Sequence, residues 1–154
     1  MTKLHPIEDR HKRLNVLVDL IYSYEKHLNG EGYHTRICER ILFNEMLHIG
    51  KTKEKDIKTH KEHIVPCAYL YKKCFELIKG DTGQTKRETV FNILDTYLKV
   101  VIISKDKANI LDHKLKLRTE MPKGWSFENG DAFARLKHSE VYGENLDEFI
   151  EWYY

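Results

Sequence analysis

Leu98-Lys99-Val100-Val101-Ile102-Ile103-Ser104 is the stretch on which the fold turns. Four consecutive β-branched residues favour extended backbone, and so short and apolar a run suits a strand buried on both faces. Ser104 can cap a helix, because its hydroxyl can accept from a free first-turn amide; the helix is predicted over 105–116. Upstream, residues 59–65 (THKEHIV) read as a second short strand, and Pro66 closes it. Between the two strands, the spacing predicts a helix over 67–79, with Ala68, Tyr71, Cys74, Phe75 and Ile78 inward. Gly80-Asp81-Thr82-Gly83 is a turn, and a helix over 85–97 follows, with Val90, Ile93, Leu94 and Tyr97 inward. Further upstream, Leu14, Leu17, Val18, Ile21 and Leu28 mark an amphipathic helix over 7–28, and Ile37, Ile41, Leu42 and Met46 mark a second over 33–48. Downstream, Arg118–Gly130 is a loop, followed by two short helices over about 131–138 and 144–153. The expected class is α+β, mostly helical, around a minimal two-stranded sheet. The expected organisation is an N-terminal helical pair (1–50), a core (51–138) with a helical insertion (67–97), and an acidic C-terminal helix (139–154), all in one compact domain.

Composition narrows the function classes. The 154 residues are 41% hydrophobic and 32% charged, enough apolar surface for a core. No apolar run approaches the roughly 18 residues of a membrane span, so no membrane partner is expected. Met1–Arg13 carries no apolar run of the signal-peptide kind. The three cysteines, Cys38, Cys67 and Cys74, form no C-x-x-C pair, so neither a disulfide framework nor a zinc knuckle is expected, and a cytoplasmic location is. Glycine-rich nucleotide loops, the G-x-S-x-G elbow and the EF-hand pattern are absent from the sequence. Charge is uneven. Residues 139–154 hold five acids and no lysine or arginine, which leaves the other 138 residues at +7. Lys51–Lys61 carries five lysines against Glu54 and Asp56, which suits either a solvated surface or attraction of a polyanion.

The chemistry-bearing segment is Thr59-His60-Lys61-Glu62-His63-Ile64-Val65-Pro66. Neighbours in a strand point to opposite sides, so Glu62 and His63 share a site only if the strand bends before the proline. The helix after the second strand carries Asn109, Asp112 and His113, and Asn109 and His113 share a face at i,i+4. Two strands and a helix with polar groups at these points suit one divalent cation. Glu62 and a helical group would bind it, and neutral His63 would activate water as general base. The plainer alternatives are a strand-end histidine bonded to backbone and a carboxylate paired with Lys61 or a distant arginine. His60 and His63 lack the second pair a zinc site needs. Cys67 and Cys74 suit a core, Trp125 a packing plug, and Trp152-Tyr153-Tyr154 a C-terminal anchor.

Glu62-His63-Ile64-Val65-Pro66 resembles the first motif of the HNH nucleases, whose fold is the ββα-metal module. Residues 62–67 (EHIVPC), 121–125 (MPKGW) and 134–137 (ARLK) together are similar to bacterial and phage HNH-like proteins. The resemblance covers about residues 59–137. It implies a metal-dependent endonuclease, a hydrolase of phosphodiester bonds, with catalytic His63, metal ligands Glu62 and His113 or Asn109, and Mg2+ or Mn2+ as cofactor. It also implies DNA or RNA as partner, with Lys58, Lys61, Arg135 and Lys137 as candidate phosphate contacts. The sequence departs from the family in the 32 residues between the strands and in the missing central asparagine, for which Asn92 is a counterpart only outside a helix. The alternative is a non-catalytic protein on the same scaffold that binds nucleic acid or inhibits a host or phage protein. The N-terminal helices are also suited to pairing with a second copy as a homodimer.

Overall fold

A computed structural model describes residues 6–153, and the expected role of Tyr154 lies outside them. The fold is α+β and mostly helical. In chain order the elements are helix α1 (Pro6–Leu28), a 3-10 turn (Ile37–Arg40), helix α2 (Asn44–Leu47), strand β1 (His48–Thr52) and strand β2 (Thr59–His63). Helices α3 (Cys67–Ile78) and α4 (Arg87–Tyr97), strand β3 (Val100–Ser104) and helix α5 (Lys105–Asn109) follow, and α5 runs into a π-helical turn (Ile110–Lys114). A 3-10 turn (Leu146–Glu148) and strand β4 (Ile150–Trp152) finish the chain. By packing, the described residues form two compact units: 6–47 with 70–98, and 48–69 with 99–153.

The first unit is helical. Leu14, Leu17, Val18 and Ile21 of α1 are fully buried, as are Leu70, Cys74 and Ile78 of α3 and Val90 and Leu94 of α4. Burying each large aliphatic chain contributes about 1.5–3 kcal/mol, which outweighs the weak intrinsic stability of isolated helices this short. Polar ties lie at the rim. The Tyr22 hydroxyl donates to Asp81 Oδ2 at 2.7 Å, and Asp81 also accepts from the Thr85 and Lys86 amides. These bonds hold the Asp81 carboxyl down at about 2, the Tyr22 bond contributing most. Burial, reinforced by Asp81, pushes the Tyr22 hydroxyl up to about 12.

The second unit holds a four-stranded mixed sheet in the order β2-β3-β1-β4. β2 is antiparallel to β3, with Glu62 opposite Val101 and His63 opposite Val100. β1 is parallel to β3 and antiparallel to β4. The expected two-stranded sheet is therefore corrected to four strands. The predicted helix over 33–48 breaks into two short turns, and its end becomes β1, because pairing on both edges satisfies those backbone groups. Gly50 permits this: a Cβ there would lie 2.8 Å from the Trp152 ring and 3.0 Å from the Glu151 carbonyl. The predicted C-terminal helix over 144–153 is instead a 3-10 turn and β4, whose Ile-Glu-Trp alternates buried, exposed and half-buried. Residues 131–138 form successive turns rather than a helix.

The β3–α5 junction follows the sequence. Ser104 caps α5, its hydroxyl accepting from the Lys107 amide at 3.2 Å. Beyond Asn109 the helix widens, and the Leu115 amide reaches the Ile110 carbonyl at 2.9 Å, five residues back. Such a π turn shifts which side chains share a face.

Candidate functional site

The candidate site lies where β2 ends. Regular pairing with β3 continues to His63, and the Ile64 amide still donates to the Lys99 carbonyl at 3.0 Å. Directly beyond His63 the chain bends, at 64–65 before Pro66. The contacts of Glu62 and His63 differ.

Glu62 is buried, at 7% exposure. Its Oε1 accepts from Arg135 Nη2 at 2.8 Å, and its Oε2 lies 3.4 Å from His60 Nε2. His60 shares the side of Glu62 because the two are two residues apart in one strand. Burial raises the Glu62 carboxyl above its ordinary range. Arg135 and then His60 pull it back in part, and Asp112 pushes it up again. Asp112 is half-buried on the π turn after α5, and it is the residue of this helix whose charge reaches Glu62. Asn109 and His113, the expected ligands from this helix, are both solvent-exposed, for the widened turn no longer stacks them at i,i+4.

Arg135 has no exposed surface. Its Nη1 donates to the His63 carbonyl at 2.7 Å, and its Nε and Nη2 donate to the Leu117 carbonyl at 3.0 and 2.7 Å. The expected phosphate contact at Arg135 is thereby corrected. A buried guanidinium is instead saturated by a carboxylate and two carbonyls, and it fixes the end of β2. Lys137, the other candidate from this segment, pairs with Asp131. Lys58 and Lys61 are exposed.

His63 is half-buried, and its Nδ1 lies 3.5 Å from Cys67 Sγ across the Pro66 turn. Cys74, by contrast, is fully buried, and burial pushes its thiol up to about 12, so it stays a neutral core residue. Trp125 stands edge-on to Tyr69 and Phe127, whose rings stack at 5.6 Å. Its Nε1 donates to the Asp131 carbonyl, and a Cβ at Gly130 would come within 2.2 Å of that nitrogen. Trp125 is thus a packed ring, as its glycine-rich loop suggested. Asn92 lies exposed within α4, so it is no counterpart of the family's central asparagine.

Among the described residues no three His, Cys, Asp or Glu side chains gather closely enough to enclose a metal. The donor chemistry of Glu62 and Asp112 still fits a hydrated Mg2+-type ion. Such an ion keeps several waters and is held by one or two carboxylates together with substrate phosphates. It does not fit a tetrahedral zinc site.

Sequence reasoning missed strands β1 and β4 and did not single out Arg135 as the distant arginine, nor Asp112 among the polar groups of the helix. One signal was available. Arg135 sits in Phe133-Ala134-Arg135-Leu136, an apolar setting in which an arginine needs a carboxylate partner. No helix among the described residues is long and apolar enough to cross a membrane. The chain matches no known family model, no curated protein and no solved structure.

Proposed function

We propose that the chain is an HNH-like endonuclease that hydrolyses phosphodiester bonds of nucleic acid with a divalent cation. One observation carries this: β2 and β3 pair antiparallel, β3 passes through Ser104 directly into α5, and that helix brings Asp112 to bear on Glu62. Two non-local strands and the following helix thus converge as the ββα module would. In this role Glu62 and Asp112 would hold the cation. Arg135 is a positioning residue, because it holds the Glu62 carboxylate and the His63 carbonyl together. His63 takes the proton from the attacking water. When bound, the cation supplies charge to stabilise the phosphoryl and leaving oxygens.

The test is cleavage of plasmid and of single-stranded DNA and RNA with Mg2+ or Mn2+. Metal-stimulated cleavage is expected, with His63→Ala reduced by about 10²–10⁴-fold, the usual contribution of a general base. His60→Ala serves as comparison, since His60 lies on the side of Glu62. Equal activity in wild type and His63→Ala would overturn the assignment of His63, and no metal-stimulated cleavage at all would overturn the enzyme.

A non-catalytic role on the same scaffold is favoured by a different observation, the Arg135 guanidinium already seated on Glu62. There the protein would bind nucleic acid, or a host or phage protein, without cleaving. Salt-dependent nucleic-acid binding without cleavage would support it.

A further inference from the structure

Lys105 was not a candidate from the sequence, but the fold sets it beside Lys58. The β2–β3 ladder ends with Thr59 opposite Ser104, and one position further on the Lys105 amide donates to the Lys58 carbonyl at 2.9 Å. The two lysines are thus backbone neighbours just past the end of the ladder, and both are exposed. Asp56 and Asp106, the acids nearest in sequence, form no ion pair with either among the described residues. Like charges placed opposite each other are destabilising, and a bound anion removes that cost. Lys58 also lies just before β2, four residues from Glu62, about 13 Å away at ~3.3 Å per residue of extended chain.

We infer that Lys58 and Lys105 form a subsite for a backbone phosphate of the nucleic acid, a few nucleotides from the phosphodiester at Glu62. The substrate class rests on the proposed function above. The subsite itself is a claim about binding and requires no cleavage. Its span calls for a polynucleotide, since a mononucleotide cannot reach from one end of β2 to the other.

The test measures binding of a labelled 20-base-pair duplex and a 20-nucleotide single strand, in EDTA, from 50 to 200 mM salt. For duplex DNA each phosphate neutralised adds about 0.9 to the slope of log K against log salt. Lys58→Gln with Lys105→Gln should therefore lower the slope by about 0.9. Over that fourfold salt range the wild type should lose about 3.5-fold more affinity than the variant. Lys58→Arg with Lys105→Arg should keep the wild-type slope, and Lys72→Gln on α3 with Lys79→Gln just after it should leave it unchanged. The thermal midpoint of the glutamine pair should be equal to or above wild type, which excludes misfolding.

An unchanged slope in the glutamine pair overturns the subsite, and so does an equal fall in the α3 control. Competition by a mononucleotide at the same phosphate concentration would make it a site for free phosphate and overturn it too. A Lys58- and Lys105-dependent slope without cleavage supports the subsite and sinks only the enzyme. Cleavage with an unchanged slope does the reverse.

Discussion

Each unit buries one arginine, and the two are neutralised in different ways. Arg10 of the helical unit is 9% exposed and donates to Asp95 Oδ1 at 3.2 Å and to the Met46 and Asp95 carbonyls at 2.7 and 2.9 Å. The side chain of Asp95 remains 37% exposed, so water can replace the guanidinium. Arg135 of the sheet unit is fully buried, and its partner Glu62 retains only 9% of its side-chain exposure. Far less water reaches that carboxylate than reaches Asp95 when the arginine is removed. The difference teaches that a buried cation is fragile in proportion to how dry its partner is.

Arg135→Ala should therefore be the most damaging change. It leaves Glu62 buried without its cation, at a cost of about 3–5 kcal/mol. Arg10→Ala should cost less, about 1–3 kcal/mol, because its main losses are hydrogen bonds. Urea unfolding of both variants checks the order, and equal losses would break the contrast. Restoring apolar balance with Glu62→Leu in an Arg135→Met background should recover most of the stability, since a buried ion pair is often replaceable.

A smaller effect separates the units by backbone rather than charge. Gly50→Ala should cost about 1–3 kcal/mol, as its Cβ meets backbone as well as side chains of β4. Hydrogen exchange should show the loss confined to β1 and β4. Uniform deprotection across α1 would contradict the division into units.

The smallest effect at neutral pH belongs to the rim of the helical unit and shows at the pH extremes. The Asp81 carboxyl is depressed in the fold, so its contribution is present above the ordinary carboxylate range and is lost as pH falls through about 2. The Tyr22 hydroxyl is raised, so its contribution is whole below its ordinary value of 10.0 and is lost as pH rises through about 12. Tyr22→Phe should remove the alkaline dependence and weaken the acid one. Thermal midpoints measured against pH would show this, and an unchanged alkaline limb would refute it.

The helical unit was largely legible because its signals are local. The stripes of α1, α3 and α4 each lie within one helix. The sheet unit was legible only in β2 and β3, whose β-branched or proline-closed runs mark themselves. His48–Thr52 and Ile150–Trp152 are too short to show a period, and they become strands because each completes the other's pairing across the sheet. The candidate site divides in the same way. Glu62 and His63 announce themselves as neighbours, but the bend that follows them at 64–65 is set by how far the pairing with β3 runs.

By itself, the sequence determined the α+β class, the helices with clear apolar stripes, and the strand–helix junction at Ser104. Periodicity and capping act over a few residues, so they can be read from a few residues. Only the tertiary structure decided that Arg135 meets Glu62 across 73 positions of chain, that the Asp112 charge is felt by Glu62, and that Lys105 stands beside Lys58. Those pairings come from burying charge and satisfying strand edges, which depend on partners that no local window contains.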